Sequence, residues 1–127
     1  MNYKELRIGN HIYIDSRETA ISAIDLATMC QHEKFLIDKG VVTPIYLSES
    51  ILFKHGFKVE FDITPNRVYS LGDFLIRSNS SHSFNLYVGQ QTVGKPFSYL
   101  HQLQNLYFAI EGKELIDNQH NNLLTTE

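Results

Sequence analysis

The sequence predicts an α+β fold: an antiparallel β meander carrying one short helix at about residues 48–55 and one long C-terminal helix at about 97–111, packed on the sheet. Three observations point there. Leu100, Leu103, Tyr107 and Ile110 recur at alternating spacings of three and four, which puts one apolar stripe on a helix. From about residue 58 to 89, short apolar runs alternate with turns rich in Gly, Asn, Asp and Ser, as successive strands do. No repeat and no linker divides the chain, so residues 1–116 are expected as one domain, with 117–127 as a polar tail.

Composition narrows the class. With 43% hydrophobic and 20% charged residues in 127, the chain has the make-up of a folded protein, not of a disordered one. The net charge is −3, and its source is local: four of the 14 acids but one of the 11 bases fall in residues 111–127. The remaining 110 residues balance, so nucleic acid is not an expected partner. Cys30 is the only cysteine, which excludes an intramolecular disulfide and a cysteine metal cluster. Residues 1–7 hold no apolar core of a leader, and no run reaches the roughly 18 apolar residues that span a bilayer. A cytoplasmic protein without a membrane partner is the expectation.

Taken in order, Leu6-Arg7-Ile8 leads into a Gly9-Asn10 turn, and residues 11–14 read as a strand with Ile12 and Ile14 on one face. Residues 15–18 read as a polar turn. From Thr19 to Cys30 the period-two face of Ile24, Leu26, Thr28 and Cys30 favours a strand, although Ala20, Ala23 and Ala27 leave a helix open. Phe35-Leu36-Ile37, the Asp38-Lys39-Gly40 turn and Val41-Val42-Thr43 read as a hairpin. Such a run of short strands suggests a small curled sheet or an SH3-like partial barrel. Ser48 is a good N-cap for the short helix, Glu49 suits its first turn, and Gly56 can close it while Phe57 folds back.

Residues 58–63 alternate strictly, with Val59, Phe61 and Ile63 facing one way and Lys58, Glu60 and Asp62 the other. Residues 64–67 form a turn; 68–71 and 74–77 form a hairpin across Gly72-Asp73; 78–83 form a polar loop; 84–89 form the next strand. Residues 90–95 are expected to cross to the long helix, for which Pro96 and Ser98 offer start signals and Gly112 a stop.

Chemistry is harder to place. No phosphate-binding glycine loop, nucleophile elbow or zinc-protease pattern occurs, and the six histidines never fall two, three or four apart. No metal and no cofactor are therefore expected. Cys30 and His32 are too few to hold a metal, and a lone Cys in an apolar run is usually a small core residue. Arg67, Arg77 and Lys95 lie near turns of the meander and can be imagined converging on a phosphate, with some of the seven Tyr and eight Phe stacking a base. His101, Gln102, Gln104 and Asn105 give the long helix polar groups for a small ligand or a sheet edge, but a solvated helix face is the preferred reading. The apolar ridge of Tyr99, Leu103, Leu106, Tyr107 and Ile110 either closes the core or docks a partner. Phe108 falls off that stripe and could meet a second surface.

Two segments at the ends of the chain carry a resemblance. Glu5-Leu6-Arg7-Ile8-Gly9-Asn10 and His101-Gln102-Leu103-Gln104-Asn105-Leu106-Tyr107-Phe108-Ala109-Ile110-Glu111-Gly112-Lys113-Glu114-Leu115 resemble a family of short uncharacterised proteins of gut-type bacteria and their phages and prophages. Pro44-Ile45-Tyr46-Leu47-Ser48-Glu49 before a helix ending in His55-Gly56-Phe57 matches it in style. The resemblance implies a cytoplasmic accessory protein of mobile-element type and transfers no catalytic or binding residue.

Two functions follow as expectations. One is a non-enzymatic module that binds a protein partner or itself, as a homodimer, through Tyr99, Leu103, Leu106, Tyr107 and Phe108. The alternative is a binder or sponge for a small, nucleotide-type molecule using Arg67, Arg77 and His101.

Overall fold

The computed structural model describes residues 3–63 and 66–117, leaving out the side chains of residues 33–35, 37, 38 and 63. Thr64-Pro65 of the expected turn and all of the expected tail but Asp117 lie outside the described residues. The fold is α+β, with a three-stranded and a five-stranded antiparallel sheet. The described residues fall into two compact units: those up to Tyr46 with Tyr99–Leu106, and Leu47–Ser98 with those from Tyr107 onward.

In the first unit, β1 (His11–Ile14) and β2 (Arg17–Ala20) form a hairpin. Asp15 and Ser16 both take positive φ, 50° and 66°, the geometry that matches the twist of a two-residue hairpin turn. The turn is thus shorter than expected, and Arg17 and Glu18 belong to the strand. β3 (Val42–Thr43) pairs with the other edge of β1, giving the order β2-β1-β3.

The expected strand over 19–30 and the hairpin over 35–43 are not formed. Residues Ala23–Asp38 are helix α1, with an irregular backbone at His32. Ser22 starts it: its Oγ accepts from Asp25 N (3.1 Å) while Asp25 Oδ2 accepts from Ser22 N (3.0 Å), a reciprocal capping box. The supposed period-two face is split accordingly: Leu26 is half-buried, while Ile24, at 79%, Thr28 and Cys30 are exposed, so Cys30 is not the core residue expected. Gly40, at φ +70°, ends the helix, and Val41 N bonds back to Leu36 O (2.9 Å), a Schellman closure in place of a hairpin turn. α1 takes the residues that an SH3-like barrel would need as strands. Leu6, Ile12, Ile21, Met29 and Val42 form the core of this unit, with Leu26 and Leu36 packed against it.

In the second unit, α2 (Glu49–Lys54) is capped as predicted. Ser48 Oγ accepts from Ile51 N (3.3 Å), Gly56 has φ +91°, and Phe57 N reaches back to Leu52 O (3.0 Å). β4 (Lys58–Ile63), β5 (Asn66–Leu71), β6 (Phe74–Ser78), β7 (Phe84–Val88) and β8 (Gln91–Phe97) follow in sheet order. Two features depart from expectation. A bulge at Glu60 breaks the alternation of β4: Val59 pairs with Tyr69, but Phe61 pairs with Val68. One extra residue moves everything after it to the opposite face, so Phe61 shares the face of Val68 while Asp62 joins Val59 on the face of Arg67 and Tyr69; Phe61 is 51% exposed. Residues 91–97 form the edge strand β8 where the sequence predicts a crossing. Its side chains are exposed until Phe97, and Gly94 and Pro96 are tolerable only at such an edge, so the segment carries no visible strand pattern.

The long helix, α3, spans Leu100–Glu111, starting later than expected. Gln102 Oε1 accepts from Tyr99 N (3.2 Å) at its start, and Gly112, at φ +73°, closes it through Gly112 N to Phe108 O (2.9 Å). Leu100, Leu103 and Tyr107 are buried as the stripe requires, while Ile110 surfaces. In the second unit Tyr107 packs edge-on against Phe74, with ring centroids 5.1 Å apart.

Candidate functional site: a polar cleft in the second unit

The start of α2, the first residues of β5 and the loop after β6 enclose a cleft of about 560 Å³. Ser48 and Glu49 line it from α2, Arg67 and Tyr69 from β5, and Asn79 and His82 from the loop. Phe84, buried, lies on the same wall as Tyr69, and the two rings meet edge-on at 6.2 Å. The volume is that of a small-molecule site.

One carboxylate organises the charges. Glu49 Oε2 accepts from Tyr69 Oη (2.6 Å) and from Arg67 Nη1 (2.7 Å), while Arg67 Nε donates to Asp62 Oδ1 (3.2 Å). Asp62 sits opposite Arg67 because of the β4 bulge. The bond from Tyr69, then that from Arg67, holds Glu49 below its usual carboxylate range. The same bond to Glu49 raises the Arg67 guanidinium. Burial, helped by the bond to Glu49, pushes Tyr69 up to about 12, so its hydroxyl stays a donor at every ordinary pH. Among the described residues nothing else bonds to Glu49 Oε1 or Arg67 Nη2.

The loop is tied down independently. His82 Nδ1 donates to Leu47 O (2.7 Å), which fixes its tautomer, since a carbonyl only accepts. Asn79 Nδ2 donates to Asn85 Oδ1, and Asn79 N and Ser80 N both donate to Ser83 O.

Of the residues singled out by sequence, Arg67 alone lies in this cleft. Arg77 pairs with Val68 and Asn85 on the opposite face of the sheet, so Arg67 and Arg77 do not converge on one phosphate. Lys95 is on the exposed edge strand. His101 belongs to the first unit and is fully buried. Leu103 and Tyr107 are buried, and Leu106 is half-buried. Tyr99 packs edge-on to Tyr46 at 5.1 Å, and a side-chain bond between them raises its pKa. Phe108, 41% exposed, is the outward-facing member of the set. Sequence reasoning does not find Glu49, Tyr69, Asn79 or His82 as cleft residues. Glu49 reads only as a helix-start residue, and no local period links it to Arg67.

Residues 5–11 and 104–105 meet in the first unit as one hydrogen-bonded piece. Asn10, fully buried, accepts from Arg7 N through Oδ1 (2.6 Å) and donates to Asn105 Oδ1 (2.9 Å) and Gln104 Oε1 (3.4 Å). Gln104 Oε1 also accepts from His11 N (2.9 Å), and Asn105 Nδ2 donates to Glu5 O (2.6 Å). The amides expected to meet a ligand or a sheet therefore hold the start of β1. Their role is structural.

Among the described residues, no three His, Cys, Asp or Glu gather to hold a metal ion, and no helix is long and apolar enough to cross a membrane. Comparison with protein-family models, curated proteins and solved structures finds no match.

Proposed function

We propose that this chain is a non-enzymatic binding module that holds a small polar molecule in the cleft of the second unit. The observation that carries the reading is the Glu49–Arg67 pair. Tyr69 and Asp62 hold it by further hydrogen bonds, and it lines a cleft of about 560 Å³. Among the described residues one carboxylate oxygen and one guanidinium nitrogen of the pair have no hydrogen bond. A carboxylate held ionised by two donors is a weak base and a good acceptor, which suits holding a ligand more than moving a proton. The resemblance to phage and prophage proteins adds the setting of an accessory protein.

Native mass spectrometry after incubation with a bacterial metabolite extract tests this. The expected result is a small-molecule mass excess, lost on denaturation and absent from Ser81→Trp, which fills the exposed rim of the cleft without removing a core residue. A bare protein after incubation would overturn the proposal.

Self-association through α3 is the second reading, favoured by the exposure of Phe108 on a helix whose Leu103 and Tyr107 are buried. The same spectra decide it. A dimer that Phe108→Asn converts to monomer with unchanged circular dichroism supports it; a monomer at every concentration removes it.

A further inference from the structure

Resting on the cleft as a small-molecule site, we infer that its ligand is an uncharged molecule bearing a vicinal diol, one hydroxyl donating to Glu49 and its neighbour accepting from Arg67. Charge selects against the alternatives. Arg67 is the cleft's guanidinium, and it is bracketed by two carboxylates, Glu49 at 2.7 Å and Asp62 at 3.2 Å. A phosphate approaching Arg67 would bring its charge close to the Glu49 carboxylate, 2.7 Å from the guanidinium, where like charges repel. An ammonium drawn to Glu49 would meet the guanidinium instead. The trio carries one net negative charge, so a nucleotide's phosphate gains little here.

Neutral hydroxyls suit what remains. Each hydroxyl is both donor and acceptor, so two adjacent ones can donate to Glu49 and accept from Arg67, whose charged groups lie 2.7 Å apart, without leaving either charge unpaired. Beside the His82 imidazole, whose Nδ1 is tied to Leu47 O, the rest of the rim is of the same kind: Ser48, Ser80 and Ser81 hydroxyls and the Asn79 carboxamide. Tyr69 and Phe84, buried on one wall, put carbon against that side of a ring. A vicinal diol comes from a free saccharide or from the ribose of a nucleoside, and the chemistry is common to both.

The experiment is an NMR titration of the full ¹⁵N-labelled chain, following backbone amides of Glu49, Arg67 and the loop after β6. The probes are D-glucose, D-ribose, adenosine, 2′-deoxyadenosine, adenosine monophosphate, inorganic phosphate and putrescine. Neutral diols are expected to shift these amides, with 2′-deoxyadenosine about tenfold or more weaker than adenosine and the monophosphate weaker than adenosine. Ribose and glucose matching adenosine identify a saccharide site; adenosine alone identifies a ribonucleoside site. Glu49→Gln is expected to weaken binding about tenfold or more, and Ser81→Trp to abolish it.

The diol class falls, and the cleft reading survives, if phosphate, the monophosphate or putrescine binds most tightly and Ser81→Trp blocks it. The diol class also falls if 2′-deoxyadenosine equals adenosine. Both fall if no probe shifts the cleft amides, or if binding persists undiminished in Ser81→Trp.

Discussion

Asn10→Ala is expected to cost about 3 kcal/mol of stability, among the largest losses a single polar residue can cause here. Asn10 is fully buried and spends both ends of its amide. Its Oδ1 satisfies Arg7 N at 2.6 Å, the bond that shapes the turn before β1. Its Nδ2 satisfies Asn105 Oδ1 and shares Gln104 Oε1 with His11 N. Removing the amide strands the partly buried Arg7 N on one side and leaves a void where a fully buried side chain was. On the other side Asn105 Oδ1 keeps Arg7 Nε and Gln104 Oε1 keeps His11 N. An unsatisfied buried group costs about 1–3 kcal/mol. Urea denaturation should show a lower midpoint at unchanged slope, and amide exchange at His11 and Ile12 should accelerate. Asn10→Asp separates the two ends, since it keeps the acceptor for Arg7 N and loses the donor to Asn105. An Asn10→Ala protein within about 1 kcal/mol of the parent would mean that water takes over the amide's bonds and that the network is not a stabilising element.

The same residues show what can be read from sequence and what cannot. Elements whose caps and periodicity are local are legible: Ser48 and Gly56 bracket α2 as expected, and Leu100, Leu103 and Tyr107 are the buried stripe of α3. α1 is misread as strands because both of its signals have a second meaning. Ser22 and Asp25 are turn-like residues until their reciprocal bonds make them a capping box, and Asp38-Lys39-Gly40 fits a hairpin turn as well as a Schellman closure. β4 lies where the sequence predicts it, yet its facing is reversed after Glu60, because a bulge is decided by the partner strand and leaves no mark on a single alternating run. That bulge matters for the cleft, since it brings Asp62 opposite Arg67. The cleft itself is almost invisible in the sequence: Glu49 and Arg67 are joined by the fold, not by spacing. Arg67 reads as a phosphate ligand only while its carboxylate partners are unseen, and those partners are what turn the site away from anions.

His101→Phe is expected to remove an acid-sensitive part of the protein's stability. His101 is fully buried, and among the described residues neither Nδ1 nor Nε2 has a hydrogen-bond partner. Its ring lies nearly parallel to that of Tyr99, with centroids 5.6 Å apart. Burial lowers its pKa below the ordinary 6.5, because the imidazolium would lose its hydration; the charge of Glu5 opposes this only in part. The sign follows. With the folded pKa below the unfolded one, the unfolded chain binds the proton more readily, so the contribution of neutral His101 is fully present above about pH 6.5. It is lost as pH falls from there through the folded value, and it levels off below.

Phenylalanine cannot be protonated and keeps a ring to stack on Tyr99. The stability difference between the His101→Phe variant and its parent should therefore be flat above about pH 6.5 and grow in favour of the variant as pH falls toward about 5. Taking the difference cancels the other histidines, which both proteins share. At neutral pH the variant should be at least as stable as the parent, gaining up to about 1 kcal/mol from nitrogens no longer buried without partners, less any strain from the larger ring. Urea melts of both proteins across this range are the measurement. A difference that stays constant from about pH 8 to about pH 5 would mean that His101 does not titrate with folding, and its burial would then carry no acid-sensitive consequence.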